Sequence, residues 1–149
     1  MIRPFKKEDM AYVLNNGIKE YGMCSFSDEN LEKLATRREE NGQCITGVVN
    51  DVIVGVGGID IMWEGVGEVW IMLTNEVNKV PFSAYQVIKD GLQKLIDDNN
   101  LFRVQAWGRV GFDKAHTLFR HLGFTPEGVA KKYTPDKVDC ILYSKVKDD

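Results

Sequence analysis

Chemistry in this 149-residue chain is most concentrated where an apolar strand runs into a helix. Residues Glu68 to Thr74 read Glu-Val-Trp-Ile-Met-Leu-Thr, nearly continuous in apolar side chains, as a strand covered on both faces should be. A short turn follows, and then an amphipathic helix opening near Ser83, with Val87, Ile88, Leu92, Leu95 and Ile96 on one face and Gln86, Lys89, Gln93 and Lys94 on the other. A helix N-terminus at the carboxyl end of a strand offers unpaired N–H groups and the positive end of a helix dipole, and together these attract an anion. The residues before this strand read as the half-sheet that delivers it. Those after it read as the half that closes over a ligand.

Other reactive residue types are sparse. Cys24, Cys44 and Cys140 are widely spaced, odd in number and unsupported by a CxxC pattern, so they read as buried or idle thiols. With only His116 and His121 in the chain, a metal site would need an assembly of scattered ligands, and none is expected. His116 and Arg120 lie one turn apart opposite an apolar stripe, which predicts a solvated face. A net charge of −3 argues against a dedicated nucleic-acid binder. No apolar stretch suits a membrane span or a leader, so a cytoplasmic protein is expected.

The elements that must position the strand–helix junction follow from periodicity. Ile2 to Phe5 predicts a short edge strand, and Met10, Val13, Leu14, Ile18 and Tyr21 recur at helical spacing behind acidic Glu8 and Asp9. Ser27 is an N-cap candidate for a second helix carrying Leu31, Leu34 and Ala35, whose later turns, Arg37 to Glu40, read as solvated. Cys44 to Val49 and Val52 to Trp63 predict a hairpin turning at Asn50 and Asp51. Gly55, Gly57 and Gly58 inside its second strand mark a bulge or a close approach, by packing or by a ligand. Leu101 to Trp107 predicts a further strand. Asp113 then caps a short helix with Ala115, Leu118, Phe119 and Leu122 inward and Gly123 at its end. Tyr133 and Val138 to Val146 predict a last strand pair across Pro135 to Lys137. Short connections between the middle strands mean antiparallel pairing, and the later strand–helix–strand unit means a parallel pair. The expected domain is single, spanning residues 1–149, with a mixed, mostly antiparallel sheet of about seven strands covered by helices on both faces.

That element order, the run from Gly57 through Leu73, the segment Arg103 to Trp107 and the Leu122-Gly123-Phe124 helix ending resemble the GCN5-related N-acetyltransferase (GNAT) superfamily. The resemblance covers essentially the whole chain. Within the superfamily the chain is similar to a phage branch that includes small internal virion proteins of short-tailed phages.

The resemblance implies an acetyltransferase that uses acetyl-coenzyme A in an opening between the fourth and fifth strands of the fold. The positions matching the strand that holds pantetheine are Leu73 and Thr74. Those matching the pyrophosphate turn are Lys79, Val80, Phe82, Ser83 and Ala84, where the family's glycines are missing, Pro81 removes an N–H and Phe82 adds bulk. Lys79, the Ser83 hydroxyl and the helix start remain as phosphate donors. Phe119 stands where the family often has an acidic tyrosine, and Asp113 where it often has asparagine. An amine with pKa about 10.4 must lose a proton before attack, at a cost of roughly 4–5 kcal/mol at pH 7. Glu68 sits at a place similar to the family's general base, with a solvent-facing strand end as the other reading. Tyr133 and Tyr143, near the last hairpin, are candidates for the missing acid. Trp63, Trp70 and Trp107 line an acceptor groove or belong to the core. The partners left open are an amine substrate (a small molecule or a protein), a second copy of the chain, or a virion protein. If the fold has lost tight coenzyme binding, the chain is instead a non-catalytic virion or host-interaction domain.

Overall fold

Asn50 and Asp51 both adopt positive φ, 51° and 63°, a conformation these short polar residues tolerate, and their turn folds the middle of the chain into a hairpin. Its strands are β2 (Cys44–Val49) and β3 (Val52–Trp63). In the computed structural model, which describes residues 1–17 and 28–148, these strands join β1 (Ile2–Pro4), β4 (Val66–Leu73), β5 (Arg103–Arg109), β6 (Thr125–Ala130) and β7 (Cys140–Val146). The seven strands form one sheet in the order β1-β2-β3-β4-β5-β7-β6. All neighbours are antiparallel except β4 and β5, which run parallel because helix α3 (Pro81–Asp98) connects them. This is the mixed, mostly antiparallel architecture expected above.

Helices cover both faces. α1 (Lys7–Asn16) and α2 (Asp28–Asn41) bury Met10, Val13 and Ala35 against Phe5, Cys44 and Val56 on one side. On the other, α3 and α4 (Asp113–His121) bury Leu92, Leu95, Ala115 and Phe119 against Ile59, Val104 and Ala106. α4 ends as its sequence predicts: Gly123 takes φ 93°, and Phe124 N–H reaches back to the Phe119 carbonyl at 2.9 Å.

Several element boundaries differ from the sequence reading, each for a local reason. α3 opens at Pro81 rather than near Ser83, because proline's fixed φ suits the first helical position and its missing N–H has no helical partner there anyway. Phe112, not Asp113, occupies the N-cap of α4, and the exposed Asp113 is its first helical residue. The last strand pair is β6–β7, so Tyr133 lies in the connection between these strands, where backbone bonds link Tyr133 and Thr134 to Val138. Ile18, Tyr21, Cys24 and Ser27 lie outside the described residues.

One buried carboxylate ties the first elements together. Asp9 takes two bonds from Arg3 at 2.8 Å, one from Thr46 Oγ1 at 2.7 Å and one from Lys6 N–H at 2.9 Å, linking β1, α1 and β2. Burial pushes the Asp9 carboxyl up, but these donors and the Arg3 charge outweigh it and hold the group below its ordinary value. A depressed folded-state value means stability present above the unfolded pKa and lost as pH falls through the folded one. Asp9→Asn should therefore cost about 1.5–3 kcal/mol at pH 7, and the gap from the unsubstituted protein should shrink below about pH 4. Urea unfolding at pH 7 and pH 3 measures both; a gap that does not change with pH would contradict the linkage.

Candidate active site

β4 and β5 pair only at Val66–Arg103, Gly67–Val104 and Glu68–Gln105. β4 then runs on to Leu73 still paired with β3, and β5 runs on to Arg109 still paired with β7, so the two parallel strands splay apart as expected from the sequence. Backbone groups along β4 alternate between its two neighbours. Thr74 gives its N–H to the Val54 carbonyl at 2.9 Å, on the β3 side, so Ile71 and Leu73 are the residues whose N–H and C=O face the gap. Leu73 was expected to hold pantetheine, and its orientation suits that. Thr74 does not: its hydroxyl is bonded to the Ile53 carbonyl at 2.9 Å, it is fully buried, and it forms an isolated bridge with Gly17. Ile71 escaped the sequence reading because strand alternation does not reveal which edge is free until one partner is known.

At the carboxyl end of β4 a 3₁₀ turn, Asn75–Asn78, leads to Val80, the N-cap of α3. The first helical bond is Ala84 N–H to Val80 O at 2.9 Å, leaving the N–H groups of Val80, Phe82 and Ser83 ahead of it. Ala84, expected at the pyrophosphate, is instead 2% exposed and packs inward. Phe82 projects outward at 74% exposure, so its bulk stands in solvent. Lys79 is exposed and pairs with Glu76 at 3.2 Å. A second cation arrives from α4: Lys114 Nζ reaches Asn78 Oδ1 at 3.4 Å. No spacing in the sequence linked residues 78 and 114.

Beneath α3 lies an apolar cavity of about 60 Å³, reached by Val69, Ile71 and Leu73 of β4, Ile88 of α3 and Phe119 of α4. Phe119 packs against Phe124 and Tyr143, with ring centroids at 5.6 and 5.2 Å. Tyr143 is fully buried and unsuited to be the acid. Its hydroxyl lies 2.6 Å from His116 Nδ1, and His116 Nε2 lies 2.8 Å from the Arg109 carbonyl. A carbonyl only accepts, so Nε2 carries a hydrogen, and in the neutral ring Nδ1 accepts from the Tyr143 O–H. His116 is thus a satisfied core residue rather than part of a solvated face. Gly108 makes room for it, since a Cβ there would stand 3.0 Å from both rings.

The opposite face of the splay, beneath α1 and α2, carries the polar groups. Trp107 Nε1 donates to Glu68 Oε1 at 2.8 Å and Gln105 Nε2 to the same oxygen at 3.3 Å, leaving Oε2 clear of both. Tyr133 stacks on Trp107 with centroids 4.4 Å apart. Burial, and after it the Glu68 charge, raises the Tyr133 phenol above its ordinary value. The two catalytic candidates, distant in sequence, are therefore joined through one indole. Trp70 lies on the same face of β4 with Arg38 over its ring, the guanidinium carbon 3.6 Å from the centroid. The sequence had placed Arg38 in solvent and allowed the tryptophans to be core. Arg38 is turned in, Trp63 is 63% exposed, and Trp70 and Trp107 line this face. Burial pushes the Cys44 thiol up to about 11 and raises Cys140 as well, so both stay neutral. Among the described residues no cluster of metal-ligating side chains occurs, and no helix is long and apolar enough to cross a membrane.

No family model and no curated protein matches the sequence. Solved structures do match it over nearly their whole length. Ard1 from Thermoplasma volcanium superposes with a TM-score of 0.79 at 15% identity, covering 100% of this chain and 98% of that one. An acetyltransferase of the GNAT family from Bacillus anthracis gives 0.77 at 16% identity, covering 99% and 95%. The putative acetyltransferase yncA from Salmonella typhimurium, solved with its cofactor acetyl-CoA, gives 0.72 at 14% identity, covering 100% and 94%. Likeness at such identities is likeness of fold, and the chain has the fold of the GNAT acyl-coenzyme A N-acyltransferases.

Proposed function

We propose that this protein is an acetyl-coenzyme A-dependent N-acyltransferase that acts on an amine by direct attack within a ternary complex. The observation that carries the reading is the β4–β5 gap, with a free strand edge at Ile71 and Leu73 and Glu68 where pairing stops. A fold neighbour solved with acetyl-CoA supports the choice of coenzyme. The residues present fit that molecule: the free edge suits the amides of pantetheine, and the α3 start, the Ser83 hydroxyl, Lys79 and Lys114 suit its phosphates. Acetyl-coenzyme A would supply the thioester carbonyl. Glu68, held through Oε1 by Trp107 and Gln105, takes the amine proton on Oε2, directly or through one water. Tyr133, whose raised pKa keeps its phenol protonated, can give a proton to the departing thiolate.

A second reading is a non-catalytic domain of the same fold, serving in a phage virion or against a host protein. The turn from residue 78 to 84 favours it, since it has no glycine and gives up one N–H at Pro81, and so does Phe119 in place of an acid. Acetyl-coenzyme A separates the readings, because a ligand that binds only the folded state must raise its melting temperature. The enzyme reading requires such a rise, together with calorimetric heat. If millimolar coenzyme produces neither, the second reading stands.

Lys79→Ala and Lys114→Ala should each weaken coenzyme binding about tenfold, and by less at high salt, because both ammonium groups are exposed. Titration at low and high ionic strength tests this, and equal affinities at both would remove the two lysines from the phosphate site. Glu68→Gln should lower kcat/KM about 100-fold near pH 7, with the deficit narrowing toward pH 10 as the amine deprotonates on its own. A pH–rate profile parallel to that of the unsubstituted protein would take Glu68 out of the mechanism.

A further inference from the structure

We propose that the acceptor amine also carries a carboxylate, and that Arg38 and the Trp70 indole N–H receive it beside Glu68. This deepens the acetyltransferase reading and rests on it. Arg3, Arg103 and Arg109 each lie on a carboxylate, those of Asp9, Glu127 and Asp136. Arg38 does not share this pattern. Its side chain is only 12% exposed, yet the carboxylate oxygen it approaches among the described residues, Asp60 Oδ2, is 3.9 Å from Nη2, beyond hydrogen-bond reach. Nε and Nη1 are buried without a partner, and so is Trp70 Nε1 in the ring beneath. Three donor nitrogens of two stacked side chains thus lack acceptors, and among the described residues these are the buried side-chain polar atoms without a partner.

The stack is built rather than incidental. Gly58 pairs with Trp70 across β3 and β4, and a Cβ on Gly58 would stand 2.6 Å from the Gln43 carbonyl, 2.9 Å from Cys44 Sγ and 3.0 Å from Trp70 Cζ2. Glycine at that position lets the indole lie close against the sheet, and the edge of Phe5 supports it at 6.4 Å. Arg38 then closes over the ring, an arrangement that attracts a guanidinium.

Charge decides what fits. Asp60 offsets part of the Arg38 charge from 3.9 Å but accepts none of its hydrogen bonds, which leaves room for one more singly charged acceptor. Asp60 and Glu68 face each other across β3–β4, so a doubly charged phosphate would meet two like charges nearby, whereas a single carboxylate meets less repulsion. The same two acidic groups suit the ammonium end of the acceptor. Trp70 and Glu68 are alternate residues on one face of β4, about 6.6 Å apart along the strand. Amine and carboxylate are therefore separated by a few bonds, as in an α- to γ-amino acid.

The test has two arms. In the first, the ¹⁵N-labelled protein without coenzyme is titrated with a panel of α- to γ-amino acids and the matching decarboxylated amines. The Trp70 indole N–H signal, assigned by its loss in Trp70→Phe, should shift with one or more of the acids and with none of the amines, and Arg38→Gln should abolish the shift. In the second, the responding acid should be acetylated with a kcat/KM at least tenfold above its decarboxylated partner, a ratio that falls to about one in Arg38→Gln. If that variant does not fold, Trp70→Phe, which keeps an aromatic ring, must lower the ratio instead. No shift with any acid, equal shifts with acids and amines, or a ratio unchanged in the variants overturns the proposal. Failure of the acetyltransferase reading looks different: no turnover and no coenzyme binding, with the indole signal still responding to acids.

Discussion

The place where β4 and β5 stop pairing governs everything else in this molecule. A parallel pair left alone would continue its hydrogen bonds, since unpaired backbone groups inside a protein are costly. Here each strand is held from its other side. β3 keeps β4 to its end, and Thr74, bonded to the carbonyls of Ile53 and Val54 and bridged to Gly17, anchors the tip. β7 keeps β5 along its whole length, and His116 braces the end of β5 by bonding both the Arg109 carbonyl and Tyr143. Side chains of α3 and α4 fill the widening space from one face. The gap is thus the consequence of two half-sheets, each internally satisfied and joined over three residue pairs.

The two faces of that gap differ in kind. Toward α3 and α4 it is apolar, with Phe119 and the β4 side chains Val69, Ile71 and Leu73. Toward α1 and α2 it is polar and aromatic, with Glu68, Gln105, Trp107, Tyr133, Trp70 and Arg38. Strand alternation imposes this division, because successive side chains of β4 point to opposite faces. In the proposed reaction, coenzyme and acceptor would approach one point from these different sides. Glu68 lies at that point because it is the last residue of β4 paired with β5.

Phenylalanine at position 119, where the resemblance would put a tyrosine, has a packing account. Phe119 is buried between Phe124 and Tyr143, and Tyr143 already gives its hydrogen to His116. A hydroxyl added at 119 would enter an apolar layer and need a partner of its own. Tyr133, carried by the loop between β6 and β7, puts a phenol on the polar face instead, stacked on Trp107.

Most of the fold was legible in the residues. Alternating and continuous apolar runs marked the strands, helical spacing marked the helices, and Asn50-Asp51 and Gly123 marked their turns, because these signals depend on each residue's own backbone preferences. That Glu68 and Leu73 share one strand was legible for the same reason. What the sequence could not determine was which polar groups meet. Arg38 looked solvated within a polar run, His116 looked exposed on an amphipathic helix, and nothing tied Lys114 to Asn78 or Tyr133 to Trp107. Those pairings join residues far apart in the chain. They depend on how helices sit over the sheet and on which edge of β4 stays free, and both are decided only when the two half-sheets pack.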